Sequence, residues 1–230
     1  MIYFDHAAAT PLDERVLAEM TPYFAREFFN PSAPYAPAVE VKRAYQNAKH
    51  RLAVCIGGQT SEILITAGAT ESINLMLNSI DGHIVTTAIE HDAVLRPAEL
   101  RGATVVKPTQ KGIISANSIR EAIRPDTELV SVALANHELG TIQPLRDIAE
   151  VVRAERQRRF EAGEMAPIWL HTDASQGAGQ LDLHVSRLGV DAMTLNAGKI
   201  YGPKQVGLLW RASGVNLRPL IVGGGQERGL

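Results

Sequence analysis

The alternation of short β-rich runs with helical patterns is the feature that most restricts how this 230-residue chain can fold. Pro144 opens one of the helical stretches, which places Leu145, Ile148 and Val152 on one face. Strands that alternate with helices in this way predict an α/β fold with three layers, in which helices flank a mostly parallel sheet. The β-rich runs lie at residues 63–66, 84–87, 104–106, 129–134, 168–171 and 206–210.

Two of the helical patterns carry further signals. The apolar spacing of residues 41–56 predicts a long helix, which Gly57 is expected to end. Cys55, the only cysteine, falls near the end of that helix, and we expect it to be a small buried thiol. Residues 153–159 are rich in arginine, and we interpret them as a solvated helix end that the helix dipole favours.

Composition and charge exclude several classes of function. A net charge of −2 gives no reason to expect a nucleic acid or an anionic membrane as a partner. No apolar run approaches the length that spans a bilayer, and the first residues lack the pattern of a signal peptide. One cysteine rules out an internal disulfide framework and fits a reducing compartment. We therefore expect a cytoplasmic protein, and we expect no metal site.

Polar residues follow several β-rich runs, which is where ligands bind in open α/β sheets. Residues 67–72 form a small-residue turn before a helical pattern, so Ala69 and Thr70 are suited to bind a phosphate. Thr70 could instead cap the helix without any ligand. Asp173 ends a very apolar strand, where a carboxylate needs a cationic partner such as a ring nitrogen. The alternative for Asp173 is also a helix cap.

Two further residues complete a possible site. Lys199 lies among small and apolar residues after an expected strand at residues 193–196. Such surroundings favour nucleophilic use, although the side chain could also extend to the surface. His91 could stack on a planar cofactor or transfer protons, or it could be a cap or a surface group. A phosphate turn, a carboxylate, a lysine and an aromatic base are together the parts that a pyridoxal phosphate site requires.

At these positions the chain resembles the cysteine desulfurases, which form part of the class V aminotransferase group of fold-type I pyridoxal phosphate enzymes. The resemblance implies that residues 15–230 are the cofactor-binding large domain of that fold. It implies that residues 1–14 belong to a small domain, the remainder of which is absent. The motifs that carry the resemblance are YFDHAAATP at 3–11, NPS at 30–32, GATES at 68–72, EH at 90–91, HTDASQ at 171–176, KIYGPK at 199–204 and GGGQERG at 223–229.

The resemblance also implies a role for each matching residue. Lys199 would hold pyridoxal phosphate as a Schiff base and move the α-proton of the substrate. Asp173 would pair with the ring nitrogen, and Gln176 would bond the phenolic oxygen, a role that comes from the resemblance alone. His91 would stack on the ring and take part in catalysis. The other cofactor-binding positions are Ala69, Thr70, His137 and Asn196.

Two differences from the family pattern concern this site, and the third and largest is length, because family members continue well past the motif at 223–229. His137 stands where the family has an asparagine near the phenolic oxygen, and its imidazole can still donate a hydrogen bond. Asn196 and Gly198 replace a serine and a histidine that bind the phosphate, and Gly198 has no side chain to contribute. Cys55 does not match the sulfur-accepting cysteine of the family, which lies on a mobile loop beyond the matched segments.

The sequence is therefore interpreted as a cysteine desulfurase, which converts L-cysteine to L-alanine and an enzyme-bound persulfide and supplies sulfur for iron–sulfur clusters or thio-cofactors. Its expected partners are L-cysteine, a sulfur-acceptor or scaffold protein, and a second copy in a homodimer. Two alternatives stay open: another pyridoxal phosphate lyase or transaminase of the same group, and a non-catalytic scaffold. A nicotinamide-binding protein is disfavoured, because no G-x-G-x-x-G follows the first strands.

Overall fold

A computed structural model describes residues 2–230, and in it seven strands form one sheet in the order β1-β7-β6-β5-β4-β2-β3. Strand β7 runs antiparallel to its neighbours β1 and β6, whereas all other neighbouring strands are parallel. The prediction of a mostly parallel sheet is confirmed. The strands are β1 (Ile63–Thr66), β2 (His83–Thr87), β3 (Thr104–Val106), β4 (Thr127–Ser131), β5 (Trp169–Asp173), β6 (Ala192–Asn196) and β7 (Gly207–Arg211).

Helices cover both faces of the sheet, because successive strand residues point to opposite sides. On β2, for example, Ile84 packs into one hydrophobic cluster with α3 and α4, and Val85 packs into the other with α2, α5, α6 and α7. Two cores on opposite faces of one sheet make the expected three layers. The helices are α1 (Glu14–Ala25), α2 (Ala36–Ile56), α3 (Ala69–Asn78), α4 (Asp92–Leu100), α5 (Ala116–Ala122), α6 (Leu145–Glu161) and α7 (Val185–Leu188).

Helix α2 ends where the sequence predicts but exposes the residue that was expected to be buried. Gly57 takes a left-handed conformation with φ of 71°, and its N–H bonds the carbonyls of Ala53 and Val54. Cys55 is exposed, so the expectation of a buried thiol is wrong. The reason is that only a narrow stripe of α2, which includes Ala53 and Ile56, faces the core. Among residues 2–230, no helix is both long enough and apolar enough to cross a membrane.

The arginine-rich end of α6 is also less solvated than expected. Arg159 is only 2% exposed, and its guanidinium donates to the carbonyls of Ala166, Pro167 and Arg124. Glu155 supplies the counter-charge at 2.7 Å. The interpretation as a solvated end is therefore wrong for Arg159. Its hydrogen bonds hold the segment after α6 against the helix.

Candidate functional site

A cavity of about 490 Å³ opens at the carboxyl ends of the parallel strands. Because these ends lie along one edge of the sheet, loops that are distant in sequence meet there. All eight residues that the sequence analysis selected line this cavity, namely Ala69, Thr70, His91, His137, Asp173, Gln176, Asn196 and Lys199. The structure therefore brings the predicted site together at one place.

The amino end of α3 forms one wall of the cavity. Its N-cap is Gly68, with φ of 144°, and no side chain caps the helix. Thr70 is the second residue of α3, so its alternative interpretation as the N-cap is wrong. Gly207 on β7 packs so closely that an added Cβ would lie 2.4 Å from the carbonyl carbon of Gly68. An uncapped helix start with a positive dipole end fits the phosphate of the expected cofactor.

Asp173 ends β5 inside the cavity and has spare bonding capacity. Its Oδ1 accepts a hydrogen bond from the N–H of Ser175 at 2.9 Å. In the described part of the chain no cation pairs with Asp173, and its Oδ2 accepts no hydrogen bond. The hydroxyl of Ser175, which also lines the cavity, is buried without a partner. The Oδ2 of Asp173 and the hydroxyl of Ser175 fit a bound ring with a cationic nitrogen, because a positive charge stabilises a nearby carboxylate.

Lys199 lies in a short 3₁₀ turn, Ala197–Lys199, that follows β6 directly. The turn is closed by Asn196, whose Oδ1 accepts from the N–H of Gly198 at 3.0 Å. The Lys199 amine donates to the carbonyl oxygens of Ala7 at 2.6 Å and Ala8 at 2.8 Å and makes no ion pair within residues 2–230. The amine therefore borders the cavity, where both of its hydrogen bonds are exposed.

The N-terminal segment forms a wall that the sequence analysis missed. Asp5, Ala7 and Ala8 line the cavity, and Gln176 donates to the Ala7 carbonyl at 2.9 Å. The segment is anchored at Thr10, which is buried and bonds residues of the β6–β7 loop. The motif at residues 3–11 is part of the family resemblance, but it did not predict which residues of this segment contact the cavity.

Thr10 makes its anchoring contacts through both backbone and side chain. Its N–H and its hydroxyl donate to the Gly198 carbonyl, each at 3.0 Å. The hydroxyl oxygen in turn accepts from the N–H of Tyr201 at 2.7 Å, and Lys204 donates to the Thr10 carbonyl. The anchor thus connects the N-terminal segment to the same loop that carries Lys199.

His91 and His137 form the opposite side of the cavity, with ring centroids 5.5 Å apart. His91 is the N-cap of α4, where its Nδ1 accepts from the N–H of Ala93 at 3.0 Å. Because Nδ1 accepts this bond, the neutral ring carries its proton on Nε2. The two interpretations of His91 are therefore compatible, since the residue is both a helix cap and a wall of the cavity.

Glu90, which precedes His91, is a buried carboxyl that the sequence analysis did not select for a role. Its Oε1 accepts from the hydroxyl of Thr87 at 2.7 Å and from the N–H of Ala133 at 2.9 Å. Burial raises the pKa of Glu90 to about 8, and the nearby charge of Asp173 adds to this increase. At neutral pH, Glu90 is therefore mostly a neutral acid.

Comparison with known proteins assigns a family. The pattern of the family described as aminotransferase class-V matches residues 2–228. Cysteine desulfurase IscS 1 of Archaeoglobus fulgidus is 39% identical over the whole chain, which covers 60% of that protein. A probable mitochondrial cysteine desulfurase of Schizosaccharomyces pombe is 40% identical, and the chain covers 46% of it. The chain thus spans about half of the length of these relatives.

Solved structures show the same relationship. A structure described as a NifS-like protein superposes with a TM-score of 0.91 at 35% identity, covering the whole chain and 64% of that protein. Another, described as SspA in complex with cysteine, gives a TM-score of 0.86 at 40% identity, covering the whole chain and 67% of that protein. The fold of the cysteine-binding relative is therefore shared by this chain.

Proposed function

This chain belongs to the class V aminotransferase family, and we propose that it is the cofactor-binding part of a cysteine desulfurase. Members of the family depend on pyridoxal phosphate. The observation that carries the proposal is the cavity in which Lys199, Asp173 and the uncapped start of α3 meet. The reaction proposed for the whole protein is the conversion of L-cysteine to L-alanine, with the sulfur left on an enzyme thiol as a persulfide.

Lys199 and Asp173 would supply the covalent and electrostatic contacts to the cofactor. Pyridoxal phosphate, when bound, supplies an aldehyde for bonding amines and a ring that withdraws electrons from the substrate. The Lys199 amine, which borders the cavity, would bond that aldehyde and later accept the α-proton of the substrate. The carboxylate of Asp173 would hold the proton on the ring nitrogen, since a nearby negative charge favours the protonated form of a base.

The remaining residues would orient the cofactor. Ala69 and Thr70 at the start of α3 would bind the phosphate, and the amide nitrogen of Asn196 is available to assist them. His91 would stack on the ring, with its Nε2 proton available for transfer. Gln176 and His137 would donate to the phenolic oxygen.

The thiol that receives sulfur is not a cavity residue of this chain. Cys55, the only cysteine, is exposed on α2 and does not line the cavity. We propose that residues 15–230 are the cofactor-binding domain, and that residues 1–14 belong to a smaller domain completed by residues outside this sequence. A sulfur-acceptor protein, a homodimer, a role in iron–sulfur cluster assembly and a cytoplasmic location stay predictions from the sequence.

Absorption spectroscopy of three proteins tests the proposal. We expect the wild-type chain mixed with pyridoxal phosphate to show a visible band, which borohydride reduction fixes to the peptide that contains Lys199. Lys199→Ala should abolish the band, whereas Lys111→Ala, a change on the exposed surface, should keep it. A band of normal intensity in Lys199→Ala would contradict the assignment.

A second assay separates cofactor binding from turnover. Because no cavity residue is a cysteine, we expect the 230-residue chain to release alanine from L-cysteine at no more than the rate of free pyridoxal phosphate. Efficient production of alanine and sulfide by this chain alone would refute the need for a second thiol. The absence of a visible band with excess cofactor would instead favour the scaffold alternative.

A further inference from the structure

Glu90 lies at a junction between two loops that form the histidine side of the cavity. One loop follows β2 and carries His91, and the other follows β4 and carries His137. Glu90 is 7% exposed and accepts from the N–H of Ala133, a residue of the β4 loop. Its Oε1 thus connects the two loops directly.

A second hydrogen bond connects the same loops in the opposite direction. The Nδ2 of Asn136 donates to the carbonyl of Ile89 at 2.7 Å. The Oδ1 of Asn136 accepts from the N–H groups of Glu138 and Leu139, so the turn that presents His137 is fixed to the same side chain. The spacing of the two histidine rings therefore depends on the contacts of Glu90 and Asn136.

The surroundings of Glu90 favour its protonated form. The Oε2 atom is buried and has no hydrogen-bond partner in the described structure, so an ionised carboxylate would be poorly stabilised. Asp173 faces Glu90 from the end of β5 and would repel a negative charge, and His91 is its neighbour in the chain. The N–H of Ala133 and the hydroxyl of Thr87 lower the pKa of Glu90, but burial outweighs both hydrogen bonds.

We propose that Glu90 is a positioning residue, which holds the loop of His91 against the loop of His137 through the Ala133 amide and does so as a neutral acid. The consequence for chemistry rests on the proposed function, because His91 and His137 are assigned there to the cofactor ring. The contact itself exists in the chain without cofactor. Glu90→Gln should preserve the contact, because its amide oxygen can accept the same two hydrogen bonds without a charge. Glu90→Ala should remove it.

Amide exchange and histidine NMR of the cofactor-free chain test this positioning role. We expect Glu90→Ala to accelerate exchange of the Ala133 amide at least tenfold and to shift the ring signals of His91 and His137, whereas Glu90→Gln should leave both close to wild type. If the histidine ring signals and the exchange rate of the Ala133 amide were unchanged in Glu90→Ala, the proposal would be overturned. If Glu90→Gln were as disruptive as Glu90→Ala, the proposal that Glu90 acts as a neutral acid would be overturned.

A titration of the wild-type chain keeps the proposal testable if Glu90→Ala does not fold. The nitrogen shift of the Ala133 amide should titrate with a midpoint near pH 8 in the wild-type chain and should be flat in Glu90→Gln. A midpoint near the ordinary value for glutamate, about 4.3, would refute the proposal that Glu90 is neutral.

The affinity for pyridoxal phosphate should fall at least fivefold in Glu90→Ala and less than twofold in Glu90→Gln. If no variant binds the cofactor, the proposed function fails while the NMR result still decides the role of Glu90.

Discussion

The cavity has two walls that are built in different ways. One wall consists of strand ends and the loops that follow them, and it is supported from below by fully buried residues such as Leu170 and Met193. The other wall is the segment of residues 5–9, which is mostly exposed and is held by hydrogen bonds at Thr10, Lys199 and Gln176. The first wall depends on the hydrophobic core, and the second depends on a few polar contacts.

This difference separates stability from local order. Disturbing the strand-end wall should lower the stability of the whole domain, because that wall rests on the packed core. Disturbing the N-terminal wall should release a short segment and leave the sheet intact. The following experiments test that distinction, beginning with the largest expected effect.

The largest effect should come from the pH dependence of the strand-end wall. Because the pKa of Glu90 is raised to about 8 in the folded chain, the folded state binds one proton more than the unfolded state between about pH 4.3 and 8. The free energy of unfolding should therefore fall by roughly 5 kcal/mol as pH rises through this window, relative to Glu90→Gln. Urea unfolding of both proteins at several pH values measures the difference. A difference that does not change with pH would show that Glu90 is not held neutral.

A core substitution beneath the same wall should have the next largest effect. Leu170 on β5 is fully buried, so Leu170→Ala should lower the free energy of unfolding by about 3 kcal/mol through lost burial and a residual cavity. Leu100→Ala is the matched control, because Leu100 is 88% exposed and should change stability by less than about 0.5 kcal/mol. Equal effects of the two changes would mean that β5 does not support the cavity as described.

The smallest effect should come from the anchor of the N-terminal wall. Thr10→Val removes a hydroxyl that donates to Gly198 and accepts from Tyr201, which should cost about 1 kcal/mol. The amides of residues 5–9 should exchange faster, while those of β5 and β6 should be unaffected. Phe4→Ala, at a side chain 92% exposed, should change neither quantity. Loss of protection in the sheet upon Thr10→Val would show that the two walls are not independent.

Sequence patterns predicted the strand-end wall well, because the carboxyl ends of parallel strands lie along one edge of the sheet. Residues at those ends therefore come together although they are distant in sequence. Asp173 ends β5 and Lys199 follows the neighbouring strand β6, so their meeting at one edge results from the topology. The contact between Ala7 and Lys199 joins residues 192 positions apart and depends on backbone carbonyls, which leave no signal in residue type. The N-terminal wall was missed for that reason.

Three other residues were predicted wrongly or not selected, because the spacing of apolar residues does not determine which side chains are buried. Cys55 continues the apolar pattern of α2, but the buried stripe of that helix is too narrow to include it. Arg159 is buried because the chain after α6 turns back and offers carbonyls to it. Glu90 gave no signal of its own, since a neutral buried acid is distinguished from a surface glutamate only by its surroundings.

The two hydrogen bonds from Lys199 to Ala7 and Ala8 connect the chemistry of the amine with the freedom of the N-terminus. An ammonium nitrogen carries three N–H bonds, whereas the same nitrogen bonded to an aldehyde carbon carries at most one. If Lys199 bonds an aldehyde as proposed, at least one of the two contacts must therefore be given up. Contacts at Thr10, at Gln176 and between His6 and Tyr201 then hold the first residues of the chain, so their mobility should increase when the amine is bonded.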